Sequence, residues 1–220
     1  MTLLRTILVL RFSSIGDIVQ TTSLVSTLMK YFPELKIDFM TLSKFAPLLE
    51  GHPHINKVHA VDINAGYKKL RQIGFEMEMM GYDLVIDLHN TTRSQVIRRG
   101  LINTQNVHIK KPRWKRFKLF TFHKNDFQKN FSIRSWLHES IHDFLPENFS
   151  ISDTHLFVSE AEKSGVRESL NKFDLKGKYF VVTPGAAWSQ KRWKADRYAK
   201  VIDDCVHQFQ MYPVLIGGLG

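Results

Sequence analysis

The chain has 220 residues, 43% of them hydrophobic, enough for the core of one large or two modest domains. Its net charge of +10 favours an anionic partner: nucleotide phosphates, nucleic acid or a phosphorylated membrane surface. The single cysteine, Cys205, excludes an internal disulfide; no apolar run reaches the roughly 18 residues of a membrane span and no secretion-signal layout opens the chain, so a cytoplasmic protein is expected.

In chain order, Ile7 to Leu10 predicts a strand. It runs into the small-residue turn Arg11-Phe12-Ser13-Ser14-Ile15-Gly16-Asp17 and then a helix, whose Ile18, Thr21, Thr22, Val25, Leu28 and Met29 recur three and four residues apart. Asp17 falls in the first helical turn, where unpaired N–H groups favour an ionised carboxylate and the amides of Ser14 to Gly16 can face an oxygen-rich ligand. An ordinary capping aspartate is the alternative reading. After a turn at Pro33, Lys36 to Met40 reads as a second strand, Phe45 to Glu50 as a short helix, Lys57 to Val61 as a strand and Tyr67 to Met80 as a helix. Tyr82 to Asp87 is a buried strand ending in an acid. Such near-continuous apolar strands point to a parallel sheet covered on both faces, with the polar loop Leu88 to Arg93 at the carboxyl edge where these sheets bind ligands.

From Lys110 to Lys129, cations interleave with Trp114, Phe117, Phe120 and Phe122. The plain reading is a solvated basic loop over an apolar underside; the functional ones are docking on a phosphorylated glycolipid at a membrane surface, or gripping single-stranded nucleic acid. A helix over Ser132 to Phe144 and a connector over Pro146 to Ser152 lead to a domain boundary within Leu156 to Lys176, drawn at 165/166. The second domain, 166–220, repeats the first unit in outline. Tyr179 to Thr183 is a strand, Pro184 to Trp193 a turn, and Ala195 to Phe209 a helix burying Tyr198, Val201, Ile202, Cys205 and Phe209. Val214 to Ile216 begins another strand before the glycine turn Gly217-Gly218.

Two strand-to-helix turns therefore carry the chemistry. Arg11, Ser13, Ser14, Gly16 and Asp17 form one, and Gly185, Ala186, Ala187, Lys191 and Arg192 the other. Small residues let backbone amides approach phosphate oxygens, and the cations can neutralise charge on a departing diphosphate. Neither a Walker loop nor a Gly-x-Gly-x-x-Gly turn is present. A competing pattern, His138-Glu139-Ser140-Ile141-His142, matches bare H-E-x-x-H and could hold zinc in a metalloprotease through His138, Glu139 and His142. Against it, Trp136, Leu137, Ile141, Phe144 and Leu145 read as the buried face of the same helix.

Ile7 to Val19, with its Arg11-Phe12-Ser13-Ser14-Ile15-Gly16-Asp17 core, resembles the N-terminal signature of the ADP-heptose:lipopolysaccharide heptosyltransferases of glycosyltransferase family 9. Pro184-Gly185-Ala186 with Lys191-Arg192-Trp193 is similar to that family's donor-phosphate loop, and Asp83 to Arg93 to its central strand and acceptor-side loop. Lys194 stands where the family usually has proline. The resemblance implies an α/β fold of the GT-B type, with an acceptor-side Rossmann-like domain over 1–165 and the start of an ADP-sugar donor domain over 166–220. The family's Asp-Thr-Gly-x-x-His donor motif is absent, so that domain is expected to be incomplete. The implied reaction is inverting transfer of heptose from ADP-heptose to the lipopolysaccharide inner core. Asp17 is then the general base, and Lys191 and Arg192 hold the donor diphosphate with Gly185, Ala186 and Ala187. Arg11, Ser13, Ser14, Gly16, Asn90 and Arg93 line the acceptor side. The partners implied are an ADP-sugar and a phosphorylated glycolipid, with peripheral contact at the inner face of the inner membrane through 110–129 and no nucleic acid. No Asp-x-Asp triplet occurs, which fits a metal-independent transferase.

Overall fold

The computed structural model describes residues 4–173, 175, 177–186 and 189–217. The chain divides into two compact units, Met1–Phe157 and Val158–Gly220.

The first unit is built on a parallel sheet of β1 (Thr6–Leu10), β2 (Lys36–Leu42), β3 (Lys57–Val61), β4 (Leu84–Asp87) and β5 (Gln105–His108), in the order β3-β2-β1-β4-β5. Helices α1 (Ile15–Tyr31), α2 (Tyr67–Glu78) and α3 (Thr92–Arg98) fill the crossovers, with a 3-10 turn over Ser43–Leu48. Alternation along the strands splits the apolar side chains between two faces. Ile7 and Val9 join Ile37, Phe39, Leu84 and Ile86 against Leu24, Val25 and Leu28 of α1. Leu8 and Leu10 join Met40 and Val85 against Leu70 of α2 and Val96 and Ile97 of α3. Fully burying each such leucine or isoleucine is worth roughly 1.5–3 kcal/mol. Gly74 and Gly100 let α2 lie close to the end of α3: a Cβ on Gly74 would stand 2.2 Å from the Ile97 carbonyl oxygen.

Beyond β5, the segment read as a loop forms α4 (Arg113–Phe122), and none of its residues is buried. The helix expected over 132–144 divides into α5 (Ile133–His138) and a 3-10 turn over Glu139–Phe144. Leu137, Ile141 and Leu145 still reach the α1 face of the core.

The second unit holds α6 (Glu160–Lys172), β6 (Tyr179–Val182), a 3-10 turn over Ser189–Lys191, α7 (Ala195–Phe209) and β7 (Tyr212–Leu215), with β6 and β7 parallel. It begins before the expected 165/166 boundary because α6 starts under its own cap, the Ser159 hydroxyl accepting from the Glu162 amide at 3.2 Å, and lines an apolar groove with β7. That groove, of about 1010 Å³, runs between Val166, Leu170 and Phe173 on one side and Val214 and Leu215 on the other. The burial expected along α7 is not found. Val201 and Phe209 are exposed and Cys205 is half-buried, because among the described residues only a two-stranded sheet is available to cover the helix. Gly218 and Lys176 lie outside the described residues.

Candidate active site

Strand order places the topological switch between β1 and β4, since the chain moves outward from β1 to β2 and β3 and then returns to the other side of β1. The crevice at the carboxyl ends of those two strands is where open α/β sheets take ligands. Arg11 leaves β1 there and bridges it. Its guanidinium donates to the Leu88 carbonyl beyond β4, to the Ser13 carbonyl at 2.9 Å, and pairs with Asp17 Oδ2 at 2.7 Å.

Asp17 is the third residue of α1 and closes the turn on itself. Its Oδ2 also accepts from the Ser14 amide at 3.1 Å and the Ser14 hydroxyl at 3.0 Å. Oδ1 has no hydrogen-bond partner among the described residues, and the side chain is 37% exposed. One oxygen is fixed and the other is offered. Burial pushes the Asp17 carboxyl up, but the Arg11 charge and the Ser14 and Arg11 hydrogen bonds outweigh it and hold the group below the usual aspartate value. It is ionised at neutral pH. A Cβ on Gly16 would meet nothing within 4 Å, so the fold leaves open space at the residue that precedes Asp17.

The β4–α3 loop is shaped by Asp87, which is fully buried and accepts from the His89 and Asn90 amides at 2.9 and 2.7 Å. Asn90 and Arg93, expected on the acceptor side, are both spent on the fold. Asn90, at φ 42°, donates to the Ile109 carbonyl at 2.8 Å and accepts from Gln95 at 3.1 Å. Arg93 reaches back to the carbonyls of Asp62 and Ile63 at 3.2 and 2.6 Å. They hold the loop in place.

Two residues outside the expected set stand at this edge instead. His89 packs edge-on to Phe12 at 5.4 Å between centroids, and its buried Nδ1 has no partner among the described residues. Burial, aided by Arg11 and Lys111, brings its pKa down to about 4, so the ring is neutral at pH 7. Lys111 lies just past β5, whose last residue His108 is in register with Asp87. Its ammonium is likewise pushed down, first by burial and then by Arg11 and Arg113, with Asp87 opposing. The missed signal was β5 itself, a polar strand whose place beside β4 brings Lys111 to the same edge as Arg11.

In the second unit, β6 feeds a turn whose Arg192 donates through Nε to the Ala186 carbonyl at 2.8 Å, while its amide donates to Ser189 at 3.0 Å. Lys191 ends the 3-10 turn exposed, and its ammonium has no partner among the described residues. A Cβ on Gly185 would meet nothing within 4 Å. Ala187, expected to supply a phosphate-facing amide, lies outside the described residues. Lys194 caps α7 with φ −70°, an angle a proline would also hold.

The zinc reading of the histidine pair is overturned. His138 is 1% exposed, with Nδ1 donating to the Arg134 carbonyl at 2.7 Å and Nε2 lying 2.9 Å from Thr27 Oγ1. Both ring nitrogens are occupied, and Glu139 and His142 sit on a 3-10 turn rather than continuing the helix. Among the described residues no three His, Cys, Asp or Glu side chains are arranged to hold a metal.

The model for "Glycosyltransferase family 9 (heptosyltransferase)" matches residues 70–218. Lipopolysaccharide heptosyltransferase 3 of Escherichia coli (strain K12) is 28% identical over 204 residues, covering 86% of this chain and 56% of that protein. Lipopolysaccharide heptosyltransferase 1 of Campylobacter coli is 22% identical over 223 residues, covering 96% of this chain and 64% of that protein. The chain thus spans little more than half to two-thirds of the relatives it matches. Among solved structures, a glycosyl transferase family 9 protein from Veillonella parvula superposes with TM-score 0.79 at 22% identity, over 100% of this chain and 65% of that one. E. coli heptosyltransferase WaaC with ADP superposes with TM-score 0.64 at 20% identity, over 98% and 67%. The fold is that of these GT-B proteins, and the nucleic-acid and protease readings find no relative among them.

Proposed function

We propose, from the premise that this chain belongs to glycosyltransferase family 9 (heptosyltransferase), that it serves inverting transfer of heptose from ADP-heptose to a phosphorylated glycolipid, the inner core of lipopolysaccharide. The observation that carries the reading is the Asp17 carboxylate. One oxygen is held by Arg11 and Ser14, the other has no hydrogen-bond partner among the described residues, and the side chain is 37% exposed. A hydroxyl of the acceptor sugar donates to Oδ1. As the bond from anomeric carbon to diphosphate breaks, that carbon gains positive character, the hydroxyl oxygen attacks it, and Asp17 takes the proton. General-base catalysis of this kind gives about a hundred- to ten-thousandfold. The lowered pKa keeps the base ionised at neutral pH and at the same time limits its strength, so positioning supplies much of its effect.

The leaving ADP gathers negative charge on its β-phosphate. Lys191 and Arg192, with the amides of the Gly185 turn, balance that charge, taking the part that a divalent ion plays in other transferases. The first unit is then the acceptor side and the second begins the donor side. An acceptor anchored in a bilayer puts the enzyme at the cytoplasmic face of the inner membrane. No helix among the described residues is long and apolar enough to cross it.

The test is transfer itself: the protein is incubated with ADP-heptose and an inner-core acceptor, and ADP release and heptosylated product are followed. Product is expected, and Asp17→Asn is expected to lower its rate at least about a hundredfold. An Asp17→Asn protein transferring at the parent rate would overturn the assignment.

A further inference from the structure

We infer that α4 is a membrane-docking helix that seats the protein on a bilayer rich in anionic phospholipid, with its aromatic side chains at headgroup depth. The inference rests on the reading of a membrane-anchored acceptor and names the element and lipid chemistry that bring the protein to it.

Three observations carry it. First, no residue of α4 is buried, and only Lys118 and Leu119 are half-buried, so its aromatic side chains find no core of their own. Trp114, Phe117 and Phe120 are 65%, 46% and 71% exposed, and at spacings of three residues they form one stripe along the helix. Water-facing aromatics in such a row are the signature of a surface partner with an apolar interior and a polar boundary, where Trp and Phe settle. Second, residues 110–129 carry eight lysines and arginines against one acid, Asp126. That acid is already neutralised, Lys118 lying 2.9 Å from it. The segment thus supplies most of the chain's net charge of +10 and presents it around the aromatic stripe. An anionic leaflet matches both halves of this pattern, attracting the cations and accepting the rings.

The third is position. His108, the last residue of β5, is in register with Asp87 of β4, and Asp87 with Leu10 of β1, while only Ile109 to Pro112 separate β5 from the helix. The chain therefore sets out for α4 from the same carboxyl edge of the sheet at which Arg11 leaves β1. Docking through α4 sets the Asp17 carboxylate close to the membrane plane, where a sugar carried on a lipid would stand.

The aromatic stripe argues for lipid over single-stranded nucleic acid. Trp114 and Phe117 stack on each other at 5.4 Å with 19° between planes, and Lys118 lies 5.9 Å from the Trp114 centroid. The rings face one another and a cation instead of standing apart as platforms for successive bases.

The whole chain is floated with vesicles of phosphatidylcholine alone and of phosphatidylcholine with about 30% phosphatidylglycerol, free of any glycolipid acceptor. Recovery with the anionic vesicles, little with the neutral ones, and a blue shift of tryptophan emission on binding are expected. Each basic residue near an anionic surface contributes roughly fivefold to partitioning, so Arg113→Gln/Lys115→Gln/Arg116→Gln should weaken it about a hundredfold. Trp114→Ser/Phe120→Ser, which removes the tryptophan placed at the bilayer, should abolish the blue shift and lower recovery at least about tenfold. Both variants should melt at the parent temperature, because the altered side chains are exposed. Undiminished recovery of the variants, no recovery of the parent, or salt-sensitive capture of a single-stranded oligonucleotide in place of vesicles would each overturn the inference. None of these outcomes bears on the Asp17→Asn rate test, so failure here leaves the transferase reading standing, and failure there leaves the vesicle result standing.

Discussion

The two strand-to-helix turns share a design and differ in how they are held. The acidic turn after β1 is tied across the sheet. Arg11 spans from its own turn to the Leu88 carbonyl of the neighbouring loop, and β1 is flanked on both sides by β2 and β4 with Ile7 to Leu10 fully buried. The basic turn after β6 is tied locally, through Arg192 to Ala186 and Ser189, and β6 is paired with β7 on one side among the described residues. A base must be aimed before the acceptor arrives, which demands a rigid support. A group that grips phosphate can be brought to order by the ligand's own charge. On the proposed roles, each turn has the support its task needs.

Removing the cross-sheet tie should have the largest effect. Arg11→Met strips the Leu88 and Ser13 carbonyls and the Asp17 carboxylate of their buried partner, and is expected to destabilise the fold on the order of 2–4 kcal/mol, read as a lower denaturant midpoint. It also removes the charge that holds the Asp17 pKa down, so the acidic limb of the pH–rate profile should move to higher pH. A limb that stays in place would mean Arg11 does not tune Asp17.

Glycines sharpen the contrast between support and site. Gly74→Ala would drive a Cβ against the Ile97 carbonyl and should cost about 3 kcal/mol, seen as a fall in Tm. Gly16→Ala meets open space and should leave Tm unchanged or slightly raised, yet it should raise the acceptor KM because it adds a methyl group to the turn proposed to receive the acceptor. If Gly16→Ala lowered Tm and spared KM, that space would be structural rather than a binding site.

Much of the first unit was legible in the sequence because its strands are short apolar runs and α1 has a clear buried face. What escaped depended on neighbours in space. β5 is a polar edge strand with no apolar alternation, so Lys111 was not placed at the sheet edge where Arg11 leaves β1, and the burial of His89 Nδ1 without a partner among the described residues is a property of packing. Asn90 and Arg93 have the residue types of a binding loop, but the carbonyls they satisfy come from elsewhere in the chain. The fully exposed face of α4 imposed no buried period, which is why its helix read as a loop. In the second unit the helical pattern of α7 was right and its burial was not, since periodicity names a face without naming what covers it.

A smaller effect should appear with pH. His52 is held neutral, its pKa brought to about 4 by burial first and then by His54 and His155. Between pH 4 and 6.5 the unfolded chain binds more protons there than the folded one, so stability falls as pH drops through that window. His52→Asn, which keeps an acceptor for the His54 amide, should flatten the fall in Tm; an unchanged slope would assign it to other groups. The smallest effect is expected at the locally tied turn: Lys194→Pro fits φ −70° and should stabilise by about 0.4–1 kcal/mol by restricting the unfolded chain.

The division of labour between the turns is tested most directly by measuring ADP-heptose affinity and single-turnover transfer rate side by side for Asp17→Asn and Lys191→Ala. The account predicts that Asp17→Asn leaves the donor Kd within about twofold while the rate collapses, and that Lys191→Ala weakens donor binding about ten- to a hundredfold. Equal loss of binding and rate in Asp17→Asn, or an unaltered Kd in Lys191→Ala, would contradict it.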